Sequence, residues 1–143
     1  MTVTTEYDQL VNEHFMYEAT DDIDGVMGSL AEHAEHEIVP TTLGVLTDHD
    51  AIRAMYTRLF ADVKGEGVTP VRRLYGDGFV VDETVWHGRV DDGALLGVPG
   101  GRGKVSFRML HVFEIADNKI TREQVWCDLA AIQQQLAQQQ HGQ

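Results

Sequence analysis

Apolar positions recur every three or four residues over roughly the first sixty positions and every second residue after that, so the chain divides into a helical half and a sheet half. Tyr7, Leu10, Val11, His14, Phe15 and Glu18 fall at helical spacing, with Thr4 or Thr5 available to cap the first turn. Asp22 precedes a second run, Ile23, Val26, Met27 and Leu30, and is its expected N-cap. His36 to Val39 predicts a brief strand stopped by Pro40. Thr47-Asp48-His49-Asp50 then opens the clearest helix, carried by Ile52, Met55, Tyr56, Leu59, Phe60 and Val63. Lys64-Gly65-Glu66-Gly67 is the expected break. Beyond it, strands are predicted over Val68 to Tyr75, Phe79 to Val90, Lys104 to Ala116 and Lys119 to Leu129. Their connections are Gly76-Asp77-Gly78, a long Gly-rich loop from Asp91 to Gly103, and Asp117-Asn118. Glycines in the long loop do not follow a nucleotide-binding spacing, and no helix pattern comes after them. The Gln-rich tail from Ile132 to Gln143 predicts one short helix that frays or packs on a partner. Flexible ends are expected at 1–5 and 138–143 of a single domain.

A two-residue turn at Asp117-Asn118 sets Ala116 opposite Lys119, and unbroken pairing from there predicts which side chains share a face. Phe107, Met109, His111, Phe113, Ile115, Ile120, Trp126 and Asp128 fall on one face, expected to be the concave one. Ser106, Arg108, Leu110, Val112, Glu114, Thr121, Glu123, Val125 and Cys127 fall on the other, which suits solvent or a subunit interface. Asp128 then sits on an apolar surface, where desolvation raises a carboxyl's pKa and suits it to general acid/base catalysis. An equally open reading makes it the cap of a helix starting at Ala130. His111 on the same face is the second catalytic candidate, since a neutral imidazole donates a hydrogen bond to a carbonyl oxygen or holds a proton. Four strand positions, about 13 Å, separate the two, so they flank a substrate and do not pair directly. Phe107, Met109, Phe113 and Trp126 from this face, with Trp86, Tyr56 and His14, are the expected substrate-binding set. His33, Glu35, His36 and Glu37 are dense in potential ligands, but they lack an HExxH pattern or a third ligand at defined spacing, so no metal site is expected.

Composition narrows the partners. The 143 residues carry 23 acidic and 11 basic side chains, a formal charge of −12, which repels phosphate backbones and anionic headgroups. No nucleic-acid or membrane partner is expected. The single cysteine, Cys127, lies in an apolar strand pattern as a structural thiol and fits a reducing compartment. With no basic leader and no long apolar run, a cytoplasmic location is expected.

Four stretches resemble the SnoaL-like branch of the nuclear transport factor 2-like superfamily. They are Asp22-Ile23-Asp24-Gly25-Val26-Met27, Gly44 to Phe60, the hairpin His111 to Ile115 with Asp117 and Lys119-Ile120, and Asp128 to Ile132 with Gln135-Leu136. Asn118 and Ala137 stand where the family pattern has glycine. The resemblance implies an α+β fold in which a cone-shaped, curved mixed or antiparallel sheet packs on three helices, a cystatin-like roll enclosing an apolar pocket. It also implies a cofactor-independent acid/base enzyme that cyclises, isomerises or dehydrates a hydrophobic carbonyl compound of polyketide or steroid type. Asp128 is the residue that matches the family's acid/base aspartate, and a homodimer through the convex sheet face is implied as well. Two alternatives are a limonene epoxide hydrolase-like enzyme, which needs Arg72, Arg73 or Arg108 turned inward between acids, and a non-catalytic binding or dimerisation module.

Overall fold

In the computed structural model, which describes residues 2–141, each half of the sequence forms the element class its period predicts. Helix α1 (Val3–Ala19) is capped by Thr2, whose hydroxyl accepts from the Thr5 amide, rather than by Thr4 or Thr5 as expected. Asp22 caps α2 (Ile23–Ser29) by accepting from the Gly25 amide, and Asp48 caps α3 (His49–Asp62) by accepting from Asp50. The sheet contains β1 (Leu30–Val39), β2 (Val45–Leu46), β3 (Val63–Gly76), β4 (Phe79–Val90), β5 (Gly103–Ala116) and β6 (Lys119–Cys127). Its order is β2-β1-β6-β5-β4-β3, with β1 parallel to β6 and all other pairs antiparallel. The chain ends in α4 (Leu129–His141).

Two strands exceed their sequence expectation. β1 is ten residues long because it runs beside β6 and takes its ladder there, which its own mixed polarity does not announce. β3 begins at Val63, and the glycines read as a break lie inside it at a register shift between Gly65 and Gly67. At the ends, Thr2 caps α1 and helix runs from Val3 in α1 and through His141 in α4, while Met1, Gly142 and Gln143 of the expected flexible ends lie outside the described residues.

The β5–β6 hairpin corrects the face assignment. Asp117 and Asn118 both adopt positive φ, 52° and 57°, the twist-matched two-residue turn, and Ala116 faces Lys119 as expected. Ile115 opposite Ile120 follows, but then Glu114 pairs with Arg122, which leaves Thr121 as an extra residue. That bulge reverses the rest of β6 relative to the expectation. Glu123 and Val125 turn inward and are buried, while Trp126 is 46% exposed on the convex face. Asp128 follows the strand and is exposed, accepting from the Ala131 amide as the cap of α4.

The core has two parts. The larger joins Leu10 and Val11 of α1, Val26 and Met27 of α2, Ile52, Met55 and Tyr56 of α3, and Val80, Phe113, Ile115 and Ile120 of the sheet. Each fully buried large side chain contributes about 1.5–3 kcal/mol. The smaller joins Val90, Leu96, Val105 and Phe107 to Ile132 and Leu136 of α4, with Trp86, Met109 and Cys127 at its edge. The apolar pocket expected on the concave face is therefore filled at this end by the protein's own last helix.

Candidate functional site

Sheet register assembles the site. Tyr75, Val80, Phe113, Glu123, His36 and Leu46 are successive cross-strand partners from β3 to β2, and Arg73, Asp82, His111, Val125 and Ile38 form the adjacent row. Both rows project onto the concave face, over which α1 lays His14 and Glu18, four residues apart on one face, while α3 brings in Tyr56.

Glu123 is the centre. It has no exposed surface, and a carboxylate placed so must be paired or protonated. Tyr56 donates to its Oε1 at 2.7 Å, His14 Nε2 lies 3.1 Å from the same oxygen, and His36 Nε2 lies 3.6 Å from it. Its Oε2 faces His111 Nε2 at 3.6 Å and has no hydrogen-bond partner among the described residues.

Proton positions follow from the donors. Ser29 Oγ donates to the Val26 carbonyl, so it accepts from His14 Nδ1 at 2.7 Å. His14 Nε2 then stands between two carboxyls, Glu123 at 3.1 Å and Glu18 at 3.3 Å, and a second proton there makes the ring an imidazolium. Burial by itself pushes His14 down, but Glu123 and Glu18 outweigh it and raise its pKa to about 9. Tyr56 spends its one proton on Glu123, so its oxygen accepts from His36 Nε2 at 3.2 Å. Burial holds His36 below its ordinary value and takes His111 down to about 4, against the pull of Glu123 on both. Tyr56 is pushed well above the phenol range by burial and by Glu123.

The two carboxyls move in opposite directions. Burial, joined by the negative field of Glu123, pushes Glu18 up to about 8 against the opposing field of His14. Burial acts on Glu123 in the same sense, but His14, His36 and His111 outweigh it and keep it ionised, well below the usual carboxylate range. Two carboxyls whose environments separate their pKa values on either side of an imidazole form an acid/base pair. His14, Glu18 and Glu123 also present ligand atoms within 4.8 Å of one another, and among the described residues they are the set whose geometry suits a metal ion. His33 and Glu35, by contrast, are exposed and do not join His36 in a ligand set.

Of the residues expected from sequence, His14, Tyr56, His111 and Phe113 converge here. Phe113 stacks on His111 at 5.3 Å between ring centroids and meets His14 edge-on at 5.5 Å. Trp86, Phe107 and Met109 lie on the same concave face under α4. Trp126 and Asp128 do not join them, and the desolvation that made Asp128 a catalytic candidate is absent because it caps a helix in solvent. Cys127 is half-buried, its thiol pushed up to about 11 by burial, and its Sγ points at the Val39 carbonyl. Glu123, His36 and Ser29 were missed as a set. Ile120 is apolar at an even position whereas Val125 and Cys127 are apolar at odd ones, and that change of parity is the sequence signal of the bulge.

A second polar group lies one row over. Arg73 donates to Asp82 Oδ2 at 2.8 Å and to Asp8 Oδ1 at 2.9 Å, and Tyr75 donates to Asp8 at 2.5 Å. The hydrogen bond from Tyr75, then the field of Arg73, keep Asp8 below the usual carboxylate value despite some opposing desolvation. With Asn12 and Pro70 these residues line an open cleft of about 300 Å³. Arg72 and Arg108 turn the other way and share Glu83 on the convex face.

Comparison with solved structures places the fold. The chain superposes on TsrD from Streptomyces laurentii with a TM-score of 0.77 at 20% identity, covering 95% of this chain and 98% of that one. An LEH-like epoxide hydrolase from M. tuberculosis matches at 0.71 and 20% identity over 94% and 91% of the two chains. An NTF2-like protein from Burkholderia thailandensis matches at 0.70 and 19% over 88% and 93%. No curated protein sequence matches the chain. No helix among the described residues is long and apolar enough to cross a membrane. The SnoaL-like polyketide cyclase family matches residues 5–136, nearly the whole chain, and the protein belongs to that family.

Proposed function

We propose that this protein is an acid/base enzyme acting on an apolar carbonyl compound, with Glu123 taking a proton from the carbon beside the carbonyl and His14, backed by Glu18, returning one to oxygen. What carries the reading is the pair of carboxyls, Glu18 and Glu123, held 3.3 and 3.1 Å from one imidazole nitrogen and driven apart in proton affinity. His111, neutral and facing the unpartnered Glu123 Oε2, is placed to donate to the substrate oxygen once Glu123 turns to the substrate. Cyclisation, isomerisation and dehydration all begin with this proton transfer. Pairing of two copies through the convex face belongs to the same reading, because Leu74 and Trp126 are exposed there beside half-buried Val81, Leu110 and Val112.

A second reading has its own observation. Arg73, turned inward between Asp8 and Asp82 with Tyr75 and Asn12 around the cleft, is the arrangement required for activating water against an epoxide.

One experiment separates them. Deuterium uptake from heavy water into the carbon beside the carbonyl is followed across a panel of apolar cyclic ketones and diketones, with oxygen-18 uptake from labelled water into cyclic epoxides as the second arm. The first reading requires exchange that Glu123→Gln and His14→Gln lower by about 100-fold or more, while Asp128→Asn leaves it near the parent rate. Exchange unchanged in Glu123→Gln sinks it, and oxygen-18 uptake lost in Arg73→Gln establishes the second in its place.

A further inference from the structure

Glu123, His14 and Tyr56 have no exposed surface, so a substrate reaches them only if part of the fold moves. Helices α1, α2 and α3 are knit into the main core with the sheet. α4 belongs instead to the smaller core. Among the described side chains of α4, Ile132 and Leu136 are fully buried, against Phe107, Leu96, Val90 and Val105, with Trp86 and Met109 alongside.

Leu129 packs half-buried beside them, the Asp128 amide donates to the Arg108 carbonyl at 3.1 Å, and glutamine side chains add further attachments. Residues 103–107 of β5 extend beyond the end of β6, whose last partner is Met109, so their outward backbone groups lack a strand neighbour. Gln135 fills one place, accepting from the Ser106 amide at 2.9 Å and donating to the Ser106 carbonyl at 2.8 Å. Gln139 does the same at Lys104, at 2.9 and 2.7 Å. Gln133 donates to Leu96 and Gln140 to Arg102, each through a backbone carbonyl of the Gly-rich loop. At the first residue of β5, Gly103, where φ is +144°, a Cβ would meet the Gln139 amide. The glutamine repeat is thus a ladder of side chains imitating a strand. Its bonds to β5 lie in exposed surroundings where water competes.

What α4 covers is apolar and aligned with the site. Trp86 and Phe107 lie 5.3 Å apart between ring centroids, and Met109 is two strand positions, about 7 Å, from His111. We propose that α4 is a hinged lid turning at Cys127-Asp128, and that the surface of Trp86, Phe107, Met109 and Leu96 beneath it receives an uncharged aromatic or alicyclic skeleton in place of Ile132 and Leu136. The acid/base reading of Glu123 is used only for where this chamber leads. The lid is tested without turnover, so failure of either idea is seen separately.

In a Trp126→Phe background Trp86 is the sole tryptophan, and its fluorescence reports the chamber. Replacing Gln135 and Gln139 together with alanine removes the ladder and leaves Ile132 and Leu136 in place. The lid predicts acrylamide quenching of Trp86 raised about three-fold or more and binding of the neutral probe N-phenyl-1-naphthylamine tightened about ten-fold, with the far-ultraviolet dichroism of the sheet retained. Unchanged quenching and probe affinity in the folded variant overturn the proposal. Should that variant lose its sheet signal, hydrogen exchange on the unaltered chain decides. Amides of α4 exchanging together at least about 100-fold faster than those of His111 to Ile115 support a lid, and exchange in step with them overturns it.

Discussion

A carboxylate with no exposed surface stays ionised only where neighbours replace the water it has lost, and Glu123 has four: His14, His36, His111 and Tyr56. The arrangement is costly to break from one side. His14→Leu strands Glu123 and is expected to lower unfolding free energy by about 3–5 kcal/mol in urea titrations. Adding Glu123→Leu removes the stranded charge, so the double variant should recover part of the loss. A double variant as unstable as the sum of the two singles would show that the groups are not coupled. Sequence periodicity placed His14 and Glu18 on one helix face and His111 on the concave face of the sheet. It did not place Glu123 with them, because its orientation depends on a residue that has no register partner across the hairpin.

At the scale of elements that residue is Thr121. Glu114 faces Arg122, so Thr121 is the surplus residue, and Phe113 meets Glu123. Deleting Thr121 removes the bulge while leaving both pairings and every inward side chain unchanged, and the shortened chain should fold with the His14–Glu123 contact intact in nitrogen-15 spectra of its histidines. Inserting one alanine between Arg122 and Glu123 turns Glu123, Val125 and Cys127 to the convex side and should abolish the cooperative melt. Equal stability of the deletion and the insertion would refute this account of β6. The glutamine-rich helix carries the same lesson: its composition suggests a short helix that frays or packs on a partner, and its i,i+4 glutamines match backbone groups left open on β5, a fit that only the relative lengths of β5 and β6 create.

For the whole molecule, the buried ionisable groups set how stability varies with pH. His14, raised from 6.5 to about 9, and Glu18, raised from 4.5 to about 8, give stability that is complete below their unfolded values and lost as pH climbs through 8 to 9. His111, lowered from 6.5 to about 4, and Glu123, lowered from 4.5, act oppositely: their contribution is present above the unfolded values and is lost as acid is added. Thermal melts should therefore peak near pH 6–7 and fall on both sides, the alkaline limb amounting to roughly 3 kcal/mol from His14 alone. His14→Gln should flatten that limb, and a limb unaltered in the variant would assign it elsewhere. The convex face offers the other test at this scale. Trp126→Glu, on an exposed side chain, should leave the fold unchanged and convert a dimer to a monomer in sedimentation, whereas a parent that already sediments as a monomer removes the proposed pairing.

Local physics was sufficient for much of this protein. Helix caps at Asp22 and Asp48, the helical stripes of α1 and α3, the tight turn at Asp117-Asn118 and the concave face of β5 follow from hydrogen-bonding side chains and periods of 3.6 and 2, which act between near neighbours in the chain. Family membership was legible in the same short patterns. Tertiary structure decided the remainder. The bulge at Thr121, the partnering of β1 with β6, the gathering of Glu18, Glu123 and three histidines around one point, and the filling of the apolar chamber by α4 all depend on contacts between distant segments. A single surplus residue in a ladder inverts every side chain beyond it, and neither the energy of that choice nor its beneficiary, a buried glutamate and its imidazoles, is local to the strand that makes it.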